Sequence, residues 1–140
     1  MKNKKVLIIS SRYYEDFSNS LELVASSLLH GKKIKYKIIK VPGVFEIPVS
    51  IAKNIKKYDG FIALGCVIKG ETPHFDFISS AVTNAIMNLS ITSKKPIGNG
   101  IITCLNKKQA HERSSSTKRN KGVEATKAVI SVLNILKNDS

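Results

Sequence analysis

The segment Val67-Ile68-Lys69-Gly70-Glu71-Thr72-Pro73-His74-Phe75 gathers a glycine, a cation, a Thr-Pro pair and a histidine where an apolar run breaks into a polar loop. Thr72 and Pro73 read as a helix cap followed by a first-turn proline. Free N–H groups and partial positive charge at such a terminus favour an anion, and Gly70 lets backbone approach a phosphate closely. A Thr-Pro pair also occurs at any well-built helix start, so the loop alone does not decide between a ligand site and a cap. His74 falls in the first turn, where imidazole can move protons near neutral pH. His30 and His111 lack comparable settings and read as surface residues.

Arg113 offers a planar fork of donors suited to phosphate, or simply a partner for Glu112. Tyr13 and Tyr14 follow the first apolar run, where one ring can stack on a flat heterocycle or both can cap the core. Glu46, beside Phe45, can answer a helix dipole or accept hydrogen bonds from a polyol. Cys66 and Cys104 are far apart, form no zinc-ligand spacing and read as reduced, buried thiols.

The elements that carry these residues alternate in type. Lys5 to Ser10 is a short β-branched run, read as a buried strand. Phe17, Leu21, Val24, Leu28 and Leu29 recur at helical spacing, and Gly31 is placed to stop that helix. Lys33 to Val41 alternates Ile34, Tyr36 and Ile38 with lysines, a strand with one wetter face. Pro42-Gly43 marks a turn, and Glu46 to Lys57 a helix with Pro48 in its first turn. Gly60 to Ile68 is the most continuously apolar strand, suited to the centre of a parallel sheet. The helix after Thr72 turns Phe75, Ile78, Ala81, Val82, Ala85, Ile86 and Leu89 inward. A strand over Pro96 to Cys104, a helix over Asn106 to about Ser114 and a last helix over Gly122 to Lys137 complete the series. Ser114 to Thr117 is the one flexible-looking patch. This alternation predicts an α/β domain with a mainly parallel sheet and right-handed crossovers.

A chain of 140 residues suits one domain, here 1–140. Nothing resembles a secretory signal or a membrane span, so the expectation is a soluble, cytoplasmic protein. The formal charge of +13 is large, but its lysines are scattered singly and in pairs, unlike a dedicated nucleic-acid surface. General solvation explains most of that charge, and attraction of an anionic substrate is the functional alternative.

Taken in order, Pro42-Gly43-Val44-Phe45-Glu46-Ile47-Pro48, Gly65-Cys66 through Phe75, and Asn120-Lys121-Gly122 strongly resemble the lumazine synthase family. The likeness runs from Val6 to about Leu136. It implies a three-layer α/β/α, flavodoxin-like fold with a four-stranded mainly parallel sheet. It also implies homopentamers with active sites between neighbouring subunits. The implied reaction joins 5-amino-6-(D-ribitylamino)uracil to 3,4-dihydroxy-2-butanone 4-phosphate in riboflavin biosynthesis. Its products are 6,7-dimethyl-8-ribityllumazine, phosphate and water, with no cofactor or metal and no nucleic-acid or membrane partner.

The resemblance assigns roles residue by residue. Tyr13 stacks on the pyrimidine, while Val44, Phe45 and Glu46 hold the ribityl chain. Cys66, Val67 and Ile68 meet the pyrimidine edge, partly through backbone. Gly70, Glu71 and Thr72 present backbone donors to the phosphate, and Arg113 clamps it from an adjacent subunit. His74 is the proton-transfer residue, Glu124 its orienting carboxylate, and Lys121 lies near the substrate. The sequence also departs from the family pattern. Asn99 stands where an aromatic often covers the site, and Ser114 to Arg119 replaces a glycine-rich segment, leaving Thr117 or Lys118 at a familiar lysine. The short stretch before the first strand suggests a free pentamer rather than a shell. An archaeal-type riboflavin synthase would share the fold but handle no phosphate, which the Arg113 and loop combination disfavours.

Overall fold

In a computed structural model of the chain, residues 3–70, 74–115 and 119–138 are described. Strand β1 (Lys5–Ser11) is buried from Val6 onward and leads into helix α1 (Glu15–Gly31). Strand β2 (Lys35–Val41) is followed by a 3₁₀ turn at Val44–Glu46 and helix α2 (Ile47–Lys53). Strand β3 (Gly60–Ile68) is buried at every residue and precedes helix α3 (Phe75–Ser93). Strand β4 (Ile97–Cys104), helix α4 (Lys107–Ser115) and helix α5 (Lys121–Asn138) follow.

The strands form one four-stranded sheet in the order β2-β1-β3-β4, and every pair is parallel. The sheet is therefore wholly parallel, a stricter version of the expected architecture. Side chains alternate across it with the period of two that a strand imposes. Val6, Ile8, Ile62 and Leu64 face Leu21, Ala25 and Leu29 of α1 and Ala125, Val129 and Leu133 of α5. Leu7, Ile9, Phe61 and Ala63 face Ile47 and Ile51 of α2 and Val82 and Ile86 of α3. Helices thus cover both faces, giving a three-layer, flavodoxin-like α/β/α fold.

The chain moves from β1 to β2 in one direction, then crosses back to β3 and β4 in the other. Helix α1 covers one face during the first move, and α2 and α3 cover the opposite face during the second. All three crossovers therefore share one hand, as parallel units require. The reversal at β1 opens a crevice beyond the carboxyl ends of β1 and β3, where open α/β sheets place ligands.

Several boundaries differ from the expectation for physical reasons. Gly31 does not take the left-handed position at the end of α1; Lys33 does, at φ 58°. The Lys33 and Ile34 N–H groups bond His30 O and Leu29 O, satisfying the last helical carbonyls while Ile34 is buried. Those bonds use residues read as strand, so β2 starts at Lys35. The helix expected over Glu46–Lys57 splits into the 3₁₀ turn and a short α2. It stops where the Asn54 amide bonds Ser50 O and the chain tightens through Ile55 and Lys57. Ala81 is exposed rather than inward, whereas Val82 and Ile86 are buried as expected. Among the described residues no helix is long and apolar enough to cross a membrane.

Close packing makes two glycines of β4 obligatory. A Cβ at Gly98 would lie 2.4 Å from Ala125 O, and one at Gly100 2.5 Å from Leu64 Cδ2. Gly31, by contrast, has open space around it. Gly98→Ala is therefore expected to lower unfolding free energy by about 1–3 kcal/mol through overpacking. Gly31→Ala should be neutral or stabilising by up to about 1 kcal/mol. Urea denaturation of both variants against the parent checks the contrast.

Candidate active site

Beyond the end of β1, the Arg12 N–H donates to Val41 O at 2.8 Å, tying the segment after β1 to the end of β2. The Arg12 guanidinium turns into the protein and bonds Glu22 (2.8 Å), Ser10 (3.0 Å) and Asn19 (2.8 Å). This anchor fixes the chain immediately before Tyr13. The Tyr13 and Tyr14 rings meet edge to face at 4.9 Å, and Tyr13 stays 60% exposed. Together with Gly43, Val44, Phe45, Cys66, Val67 and Ile78 they line an almost wholly apolar cleft of about 130 Å³. Such a lining suits a flat ring more than a solvated ion.

The far wall of this cleft is closed locally. Glu46 accepts a bond from the Gly43 N–H at 2.9 Å, and the Glu46 N–H returns one to Gly43 O at 3.2 Å. That reciprocal pair holds Val44 inward and leaves Phe45 exposed. Val44 also needs Gly65 beneath it: a Cβ there would stand 2.7 Å from Val44 Cγ1. The Pro42–Pro48 segment and β3 thus fit together only with a glycine at that point.

A second cleft, of about 380 Å³, adjoins the first and shares Val44, Val67 and Ile78 with it. Its character is different. Arg113, Arg119, Lys121, Glu124, Asn99, Thr103, Ser79 and Thr83 contribute to its lining. Arg113 Nη1 donates to Thr103 O at 2.8 Å and approaches Cys104 Sγ at 3.8 Å. Lys121 pairs with Glu124 at 3.1 Å, and Arg119 with Glu112 at 3.8 Å; both pairs are solvated enough to exchange partners. Asn99 Oδ1 accepts from the Ile101 N–H at 3.1 Å, so its amide lies along β4.

Asn120-Lys121-Gly122 has a structural account. Asn120 Oδ1 accepts from the Gly122 (2.8 Å) and Val123 (3.3 Å) N–H groups, capping α5, while its amide nitrogen bonds Ser114 O. Gly122 permits α5 to touch α1, since a Cβ would stand 2.8 Å from Leu21 O. Lys121, between them, is directed to the cationic cleft.

Two thiols lie beside the clefts: Cys66 lines the first, and Cys104 meets Arg113 of the second. Cys66 and Cys104 are both free and buried, packed with Phe17, Ile68, Ile102 and Ala110. The neighbouring Cys104 thiol, and after it burial, holds the Cys66 thiol above its ordinary range. Cys104 is lowered to about 7, first by the Cys66 hydrogen bond and then by the charge of Arg113, against the opposing effect of burial.

The structure therefore brings Tyr13, Val44, Phe45, Cys66 and Val67 to one cleft and Asn99, Arg113, Lys121 and Glu124 to its neighbour. Ile68 directs its side chain into the core, leaving only its backbone near the sheet edge. Gly70 is exposed with φ 85°, a conformation that favours glycine. His74 is exposed at the N-cap of α3, its ring 6.3 Å from Phe77, and lines neither cleft. Glu71 and Thr72, like Pro73, Thr117 and Lys118, lie outside the described residues. Sequence reading passed over Arg12, Arg119 and Ser79. The Ser79 hydroxyl is buried at the cationic cleft with no partner among the described residues. Only the basic neighbourhood of Arg119 offered a signal. Among the described residues no three metal-capable side chains cluster.

Residues 3–137 match the family model described as 6,7-dimethyl-8-ribityllumazine synthase. The chain belongs to that family. It is 41% identical over 139 residues to the 6,7-dimethyl-8-ribityllumazine synthase of Bartonella tribocorum, covering 97% of this chain and 92% of the relative. It is likewise similar to the synthase of Bartonella henselae, at 42% over 140 residues, covering 97% and 90%. The synthase of Agrobacterium fabrum is 38% identical over 144 residues, covering 98% and 97%. Within this lumazine synthase family member, Gly43, Val44, Phe45, Cys66, Val67 and Lys121 are the described residues of the resembling segments that line the two clefts.

The Glu46 bond to Gly43 sets a measurable expectation. Glu46→Ala should cost about 1 kcal/mol of stability through the lost cap, while Glu46→Gln, which keeps an acceptor, should cost less. Thermal and urea unfolding of the two variants distinguish them.

Proposed function

We propose that this chain, as one domain over 1–140, carries out the family's condensation. It joins 5-amino-6-(D-ribitylamino)uracil to 3,4-dihydroxy-2-butanone 4-phosphate, releasing phosphate and water. The observation that carries this reading is that one chain presents both an aromatic, apolar cleft and a cationic one with Arg113 and Lys121 in its lining. One substrate offers a flat ring with a polyol, the other a phosphate, and the two clefts match them in kind.

The roles follow from that division. Tyr13 stacks on the pyrimidine, with Cys66, Val67 and the Ile68 backbone at its edge. Val44, Phe45 and the free oxygen of Glu46 hold the ribityl chain. Backbone N–H groups of Gly70, Glu71 and Thr72 receive the phosphate, and Arg113 clamps it. Asn99 and Lys121 border the site. Holding amine and ketone together makes imine formation effectively unimolecular. His74, with Glu124 orienting it, moves protons during imine formation, phosphate elimination and ring closure. No metal or cofactor enters this scheme.

The site is shared between neighbouring copies of a cytoplasmic homopentamer in this reading. Two features favour assembly. The exposed side of the 3₁₀ turn, α2 and α3 carries Phe45, Val49, Phe77, Met87 and Ile91, more apolar surface than scattered residues explain. Arg113 and Lys121 sit on the edge-strand side of the sheet, while His74 lies outside their cleft, which suits Arg113 reaching a neighbour's phosphate. Analytical ultracentrifugation should return the mass of five chains.

Purified, metal-free protein should form lumazine with release of phosphate, followed by absorbance. His74→Ala should lower kcat by about 10²-fold or more with little change in stability, because the ring is exposed. Arg113→Ala should raise KM for the phosphate substrate about 10- to 100-fold, as for a lost charge-assisted bond. No turnover by a folded pentamer would sink the reading in favour of a ligand-binding relative.

A further inference from the structure

We propose that Cys104 is a positioning residue for Arg113, its sulfur holding the guanidinium at the mouth of the cationic cleft and competing with phosphate for it. This inference rests on the reading of Arg113 as the phosphate clamp. Arg113 is an exposed residue on α4, and a side chain of that length in water has many rotamers to lose. Two acceptors at the end of β4 restrict it: Thr103 O at 2.8 Å and Cys104 Sγ at 3.8 Å, both from the same Nη1. The carbonyl gives direction. The sulfur gives a contact whose strength depends on its charge.

Cys104 is built to be an acceptor. It is fully buried, so water does not satisfy it, and Cys66 packs in the same cluster from the paired strand β3. Among the described residues, the ionisable groups around it are Cys66 from β3, Tyr14 at the N-cap of α1 and Arg113 from α4. Lys69 meets it only through a backbone bond to its carbonyl (2.8 Å), and the His111 ring meets that of Phe17 edge to face at 5.1 Å. The remaining surroundings, Ile68, Ile102 and Ala110, are apolar. The neighbouring Cys66 and then the Arg113 guanidinium, 3.8 Å away, favour the thiolate of Cys104 against the opposing effect of burial. The thiolate binds Arg113 more tightly than the thiol does, and it draws on the same positive charge that a phosphate needs.

Sheet geometry keeps the sulfur available for this role. Cys66 sits opposite Ile102, so Cys104 is its diagonal neighbour two residues further along β4. Strand spacing and rise place such a diagonal roughly 8 Å apart between Cα atoms. A disulfide tolerates only about 7 Å without moving the backbone. The pair therefore does not close into a disulfide, and Cys66 also lines the aromatic cleft.

The test compares the parent with Cys104→Ser, Cys104→Val and Arg113→Ala, varying each substrate separately from about pH 6 to about pH 8.5, which brackets the thiol ionisation. In the parent, KM for the phosphate substrate should rise several-fold as pH climbs through neutrality. Cys104→Ser keeps a polar acceptor but does not ionise, so that rise should vanish. Cys104→Val should shift KM for the phosphate substrate several-fold throughout, with KM for the pyrimidine unchanged. Thiolate absorbance near 240 nm provides a readout without turnover. Its midpoint near neutrality should disappear in Cys104→Ser and move upward in Arg113→Ala. If Arg113→Ala raises KM but the cysteine variants match the parent at every pH, Cys104 does not position Arg113. An unmoved thiolate midpoint in Arg113→Ala overturns the pairing even if the valine variant fails to fold. If Arg113→Ala itself leaves KM unchanged, the clamp reading fails first.

Discussion

Strand β3 is buried at every residue and hydrogen-bonded on both edges, to β1 and to β4, and the rest of the molecule is arranged around that requirement. A strand without a solvent-facing side needs helices on both faces, since each exposed apolar row would otherwise meet water. Helices α1 and α5 supply one cover, α2 and α3 the other. Two covers force the chain to cross the sheet in both directions, and the reversal at β1 leaves the crevice in which Tyr13, Val44 and Val67 meet. The ligand crevice is thus a topological consequence of burying β3.

Glycines at close approaches make the crevice tight rather than merely present. Gly65 lets Val44 lie against β3, Gly98 lets α5 lie on β4, and Gly122 lets α5 touch α1. Each contact brings a residue with chemistry to the sheet edge: the Val44–Glu46 turn in the first case, Lys121 and Glu124 in the others. Packing and chemistry are coupled here because a side chain can be aimed to within an ångström only by elements that cannot slide.

The charges divide by setting. Most lysines are solvated and scattered, and contribute a general positive field. Arg12 is spent internally on Glu22, Ser10 and Asn19, an anchor that holds the start of the Tyr13 segment. Among the described residues, Arg113, Arg119 and Lys121 gather at one cleft, and the ion pairs of Arg119 and Lys121 are weak enough to yield to an anion. The burial of two thiols beside Arg113 is the unusual element, because it puts an ionisable acceptor against the cation in a place water does not reach.

Period and turn chemistry were legible in the residues alone. The uninterrupted apolar run of Gly60–Ile68 announced a central strand, the spacing of Phe17 to Leu29 announced α1, and the three motif segments announced the family. Those features are local, carried by neighbours in the chain, so pattern reasoning reaches them. What it missed depended on partners distant in sequence. Lys33 rather than Gly31 ends α1 because Ile34 has a core to enter. Cys66 and Cys104 become neighbours in one buried cluster only through the β3–β4 register. The adjacency of an aromatic cleft to a cationic one was decided by the fold, because direction reversal in a parallel sheet, not sequence proximity, determines which strand ends share a crevice.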